Sequence, residues 1–129
     1  MQALTESLAL DLPAEPDSVA DARHAAAELA ERVGADEADV KIAVSEAVGN
    51  AVIHAYRDRE PGSVRLTGAV DRGRLRFTIT DDGLGMSPNI DSPGLHLGIP
   101  LIGKVAEDVH IDANSGGTTI SFSFPLERA

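Results

Sequence analysis

Between Asp36 and Tyr56 the chain carries a helix-period run whose apolar side is built of alanine and valine. Val40, Val44, Ala47, Val48, Ala51 and Ala55 recur at spacings of three and four, so one face of this segment must lie against other apolar surface. Glu46, Asn50 and His54 follow at intervals of four on the same helix. Each lies about 40° further round than the last, so the three rise along one edge. A carboxylate and an amide beside a buried stripe are costly unless something satisfies them. Periodicity alone leaves two readings open. One is the exposed polar edge of an amphipathic helix. The other is a carboxylate and an amide oxygen turned into a cleft, where Asn50 can offer an oxygen to Mg²⁺ and Glu46 can polarise a hydroxyl. His54, last of the row, reads as a rim residue.

The flanking segments set this helix in an α/β fold. Glu6 to Leu12 alternates polar and apolar as a strand does, and Pro13 and Pro16 end it. Asp17 or Ser18 is placed to cap a helix through about Val33, with Val19, Ala22, Ala26, Leu29 and Val33 on one face and Gly34 as its stop. Asp36 opens the second helix, and Glu37 and Asp39 in its first turn suit the positive helix N-terminus. That helix is expected to run to about Tyr56. Ser63–Val70 and Arg74–Thr80 form a hairpin around Asp71-Arg72-Gly73. A stretch rich in Gly and Pro follows from Asp81 to Gly94. Leu97 to Glu107 is apolar and helical, with Pro100 inside its first turn. Strands around Val109–Ala113 and Thr118–Leu126, joined by NSGG, close the chain. The order βααββαββ predicts a mixed sheet with helices on one face.

Composition narrows the class. A length of 129 residues suits one domain over 1–129, and 43% hydrophobic residues suffice for a core. The net charge of −10, with acids spread along the chain, argues against direct nucleic-acid contact, which needs clustered Lys and Arg. Cysteine is absent, so disulfides, thiolate metal sites and thiol nucleophiles are excluded. The N-terminus lacks the basic start and apolar core of a signal peptide, and no run is long enough to span a membrane. A soluble, cytoplasmic domain is expected. His24, His54, His96 and His110 show no metal-ligand spacing.

Two further motifs bear on chemistry. In ITDDGLGM, Ile79 to Met86, a strand ends on two aspartates, and Gly83 and Gly85 free the backbone to turn and approach something closely. Pro88 occupies the third glycine position of a dinucleotide fingerprint, which rules that motif out. Gly98 to Lys104 imitates a phosphate loop, but Val105 replaces the Ser or Thr that should bind Mg²⁺ and the interior IPLI is too apolar. Gly94 and Gly98 are better placed on the loop leading into a helix, whose first free N–H groups favour a phosphate. Lys104 then lies on that helix as a solvated residue.

Taken together, these stretches resemble the GHKL ATPase superfamily, and more narrowly the small bacterial serine-kinase anti-sigma factors of the partner-switching type. VSEAVGNAVIHAY is similar to the N box, TDDGLGM to the first glycine box, GLHLGIPLI to the second, and GGTT at 116–119 to the last nucleotide contact. The resemblance implies a two-layer α/β sandwich, its sheet mixed but mainly antiparallel, with ATP and Mg²⁺ held between the helices and a lid. It makes Asn50 the Mg²⁺ ligand and Glu46 the general base, or the group that orients the attacking hydroxyl. Asp81 accepts a hydrogen bond from the adenine amine, and Thr118 completes the adenine site through a water. Gly83 and Gly85 pass close to base and ribose, and Gly94 and Gly98 bring N–H groups to the phosphates. The implied reaction phosphorylates a serine or threonine of an anti-anti-sigma (STAS-type) partner. A sigma factor is the sequestered target, and relatives are often homodimers. His96 stands where many relatives carry another glycine, either crowding the phosphates or facing outward, and the lid from Met86 to Pro93 is short and holds two prolines, so that slow or absent transfer is expected. The competing expectation is a non-catalytic nucleotide-binding or docking module of the same fold. The joint presence of Glu46 and Asn50 favours the kinase.

Overall fold

The computed structural model describes residues 7–55, 62–81, 100–114 and 117–127. Their order is β1 (Ser7–Pro13), α1 (Asp17–Val33), α2 (Glu37–Asn50), β2 (Ser63–Asp71), β3 (Arg74–Asp81), β4 (Glu107–Asn114) and β5 (Gly117–Pro125). A π-helical turn, Ala51–Ala55, continues α2, and a short helix over 100–105 precedes β4.

The strands form one sheet in the order β1-β2-β3-β5-β4, and every described pairing is antiparallel. The mixed sheet expected from the element order is corrected on this point. Two helices in succession return the chain to the end where β1 finished, so β2 runs back against β1. β4 does run in the direction of β3, but β5 folds back between them and no parallel pair forms.

One face of the sheet is apolar and carries the helices. Val64 and Leu66 of β2, Leu75, Phe77 and Ile79 of β3, and Ile120, Phe122 and Phe124 of β5 are all buried. The three phenylalanines cluster with ring centroids 5.8 to 6.2 Å apart. Above them α1 contributes Ala22, Ala26, Leu29 and Ala30, and α2 contributes Val40, Ala43, Val44, Ala47 and Val48. Small residues on the helices bring the two layers close. Gly68 does the same from the sheet, where a Cβ would come within 2.8 Å of the Phe77 ring and 3.1 Å of Leu29.

Local signals set most boundaries. Asp36 caps α2, its Oδ1 accepting from the Asp39 N–H at 3.0 Å. Gly34, at φ 88°, stops α1, and the N–H groups of Gly34 and Ala35 both donate to Ala30 O. Arg72 and Gly73 both have positive φ, giving the mirror-image two-residue turn that matches strand twist. The α1 cap differs from expectation. Pro16 occupies it without a side-chain bond, and Ser18 sits buried inside the helix with its Oγ donating to Pro13 O at 2.5 Å. Glu107, expected to end a helix, begins β4 instead, where it pairs with Arg74.

Among the described residues no helix lies over the other face of the sheet, which is polar. Arg65 makes a two-pronged ion pair with Asp11 at 3.0 and 3.1 Å. Ser123 is fully buried on this face. Its Oγ accepts from Arg74 Nε at 3.1 Å and lies 3.1 Å from Asp108 Oδ2 and 3.4 Å from Glu107 O. Arg74 also pairs with Glu107, and Arg76 Nη2 lies 3.8 Å from Asp108 Oδ2. These contacts fasten a bulge. From Glu107 to His110 β4 spends one residue more than β5 does from Ser123 to Ser121, and Asp108 takes φ 53° to absorb it.

Candidate functional site

Five polar side chains are buried among the described residues: Ser18, Asn50, Asp81, Thr118 and Ser123. The first and last have the partners given above. The other three meet at one end of the sandwich. Asp81 is the final residue of β3, and Thr118 is its register partner on β5. Directly opposed residues hold their Cβ atoms about 5 Å apart on the same face, here the face beneath the helices. Asn50 ends α2, and the π-helical turn that follows it packs against both β3 and β5. Amide, carboxylate and hydroxyl are therefore delivered to one region by three elements far apart in sequence.

Asn50 has the distinctive environment. It is 8% exposed, and its Nδ2 has no hydrogen-bond partner among the described residues. A buried amide donor without a partner costs about 1–3 kcal/mol. The helix also changes character at this residue, from α to π. Single π-helical turns recur at functional positions because they re-aim side chains without ending the helix.

Glu46, one turn before Asn50, is half-buried. The row expected along one helix edge thus splits, with the amide inside and the carboxylate at the boundary with solvent. Beyond Glu46 the helix surface is open: Ile42 is 37% and Ile53 62% exposed. Neither isoleucine belongs to the stripe of Val40, Val44, Ala47, Val48 and Ala51, so both were visible in the sequence as large apolar residues off the core face. Lys104 lies exposed on the short helix over 100–105. Gly83, Gly85, Gly94, Gly98 and His96 lie outside the described residues. A groove of about 200 Å³ lined by Asp11, Ser63, Arg65, Thr80 and Asp81 reaches the same end of the sheet. Asp11, Arg65 and Thr80 follow one another across the strands on the face without helices, so the groove opens away from Asn50.

Residues 12–124 match the family described as the histidine kinase-like ATPase domain. The chain belongs to this family. Within it, the chain is 32% identical to the serine-protein kinase RsbW of Bacillus velezensis, over 92% of this chain and 85% of that one. It is 30% identical to an anti-sigma F factor of Clostridium beijerinckii, with 63% of this chain and 64% of the relative covered. A solved structure of the RsbU and RsbW domains of a Mycobacterium tuberculosis protein superposes with a TM-score of 0.76 at 25% identity. That match covers 99% of this chain and 34% of the other, so the histidine kinase-like ATPase fold here corresponds to part of a longer protein there. Among the described residues, no helix of this family member is long and apolar enough to cross a membrane.

Proposed function

We propose that the chain is an ATP-dependent serine/threonine-protein kinase and anti-sigma factor, acting as a single domain in the cytoplasm. The observation that carries this is Asn50 Nδ2, without a hydrogen-bond partner among the described residues and buried where α2 and its π-helical turn pack against β3 and β5. A nucleotide phosphate oxygen supplies the acceptor that this N–H lacks. The similarity to RsbW and to an anti-sigma F factor supports the choice of protein substrate and of target.

In this site Asn50 holds the divalent cation side of the nucleotide. Mg²⁺, when bound, neutralises charge developing on the phosphate oxygens. Asp81, buried at the end of β3, accepts a hydrogen bond from the adenine amine, and Thr118 opposite it completes the base site through a water. Gly83 and Gly85 border the base and ribose, and Gly94 and Gly98 offer N–H groups to the phosphates. Glu46 stands at the solvent boundary, where a protein hydroxyl arrives. The hydroxyl oxygen attacks the γ-phosphorus, the bond from that phosphorus to the β–γ bridging oxygen breaks, and ADP leaves with the electron pair. Glu46 takes the hydroxyl proton. The acceptor is an anti-anti-sigma protein of STAS type, and the sequestered target is a sigma factor. Nucleotide state and acceptor phosphorylation choose between them.

Calorimetric titration of ATP and ADP with Mg²⁺ tests the site, using wild type and Asp81→Asn. Binding by wild type that weakens in the variant is expected. No binding by wild type removes the kinase and leaves a docking module of the same fold. Glu46→Gln then separates chemistry from binding: transfer of ³²P to the partner is lost while nucleotide affinity and folding persist. Unchanged transfer takes Glu46 out of the mechanism.

A further inference from the structure

Resting on that kinase reading, we infer that the outer face of α2 is the docking surface for the phosphate acceptor, with Ile42 and Ile53 as its apolar anchors. Residues 42, 46, 49 and 53 are spaced by four, three and four, so they share one side of α2 and its π-helical extension. Going round the helix from Asn50, burial falls in order. Asn50 is enclosed, Glu46 is half-buried, and Ile42 and Ile53 are exposed, Ile53 more than any other large apolar residue among those described. The isoleucines stand about 15 Å apart along the axis, one on either side of Glu46. Between them Gly49 leaves a notch, with nothing within 4 Å of where a Cβ would be.

Single exposed apolar residues are ordinary on protein surfaces. Two of them bracketing a carboxylate that must meet a protein hydroxyl are a different matter. The buried side of Glu46 is the side of Asn50 and the nucleotide, so the hydroxyl has to come over the face that carries Ile42, Gly49 and Ile53. Lysine, glutamate or alanine would serve helix stability better than isoleucine at solvent-facing positions. The rim away from Asn50 carries two cations beside the exposed Glu37: Lys41 is exposed, and Arg23 of α1 reaches Ser45, its Nη1 3.4 Å from Ser45 Oγ. In a chain of net charge −10 this local pair of cations asks for carboxylates opposite. The occupant is therefore a folded acceptor domain that presents its serine or threonine beside apolar side chains, with acidic residues on one flank.

The test uses [γ-³²P]ATP as donor and, as acceptors, the purified STAS-domain proteins of the same genome. Ile53→Asp and Ile42→Asp are compared with wild type, with Ile53→Ala as a variant that keeps helix propensity and with Val70→Asp as a charge control on the exposed β2 end. Expected is a rise of tenfold or more in acceptor KM for the two aspartate variants, a smaller rise for Ile53→Ala and none for Val70→Asp. The kcat stays within twofold, and the calorimetric affinity for ATP is unchanged. An acceptor KM unaltered in Ile42→Asp and Ile53→Asp, with wild-type transfer intact, overturns the docking surface and leaves the kinase standing. No transfer from wild type to any of these proteins overturns both.

Discussion

Ser123 and Asn50 are both polar, both buried and both on the sheet-and-helix framework, yet their surroundings are opposites. Ser123 lies between strands on the open face, its hydroxyl engaged with Arg74, Asp108 and the Glu107 carbonyl. Asn50 ends α2, its Nδ2 without a partner among the described residues. A buried polar group that is fully satisfied contributes to a unique structure, here the position of the β4 bulge. One left unsatisfied subtracts from stability, and the fold tolerates it where a ligand restores the missing contact. On the proposed function, Ser123 is a polar group kept for architecture and Asn50 one kept for chemistry.

Substitutions can break that contrast. The largest effect is expected for Asn50→Ala. Nucleotide affinity should fall about 100-fold, equivalent to ~3 kcal/mol of lost contact, without any fall in stability to denaturant. A loss of stability with affinity intact would make Asn50 a second Ser123. Ser123→Ala should do the reverse, lowering unfolding free energy by about 1–3 kcal/mol in urea while calorimetric ATP affinity stays at the wild-type value. Gly68→Ala, which forces a Cβ against Phe77 and Leu29, should cost about 1–3 kcal/mol by overpacking and likewise spare the site. It calibrates what a purely structural lesion looks like. The smallest effect belongs to Arg65→Ala. Its pair with Asp11 is more than half exposed on both sides, so thermal unfolding should register a loss of about 0.2–1 kcal/mol, and less in high salt.

Much of this was legible in the sequence, for reasons that are local. Gly34 stops α1 and Asp36 caps α2 because left-handed backbone and a free helix N–H each demand particular residue types. The Arg72-Gly73 turn and the alternation of β3 follow from the same short-range rules. Asn50, Asp81 and Thr118 were singled out through resemblance, and the fold brings them to one end. What escaped was long-range. The insertion of β5 between β3 and β4 depends on pairing, which no local period encodes. The Ser123 cluster joins residues up to 49 apart. The π-helical turn after Asn50 has no sequence signal of its own, since Ala-Val-Ile-His-Ala suits an ordinary helix equally well. Helical period placed Glu46 and Asn50 on one edge and could not say that burial would divide them.

The pairing of β1 with β2 has a kinetic consequence. Pro13 and Ser63 are register partners, so this edge of the sheet closes a loop of about 50 residues, whereas β2 and β3 meet across two. On chain-entropy grounds the longer closure costs about 3 kcal/mol more. During synthesis β1 has no partner until both helices and β2 have emerged. β1 therefore combines an edge position with the longest closure among the described strand pairs, and amide exchange along Leu8 to Leu12 should outpace that in β3.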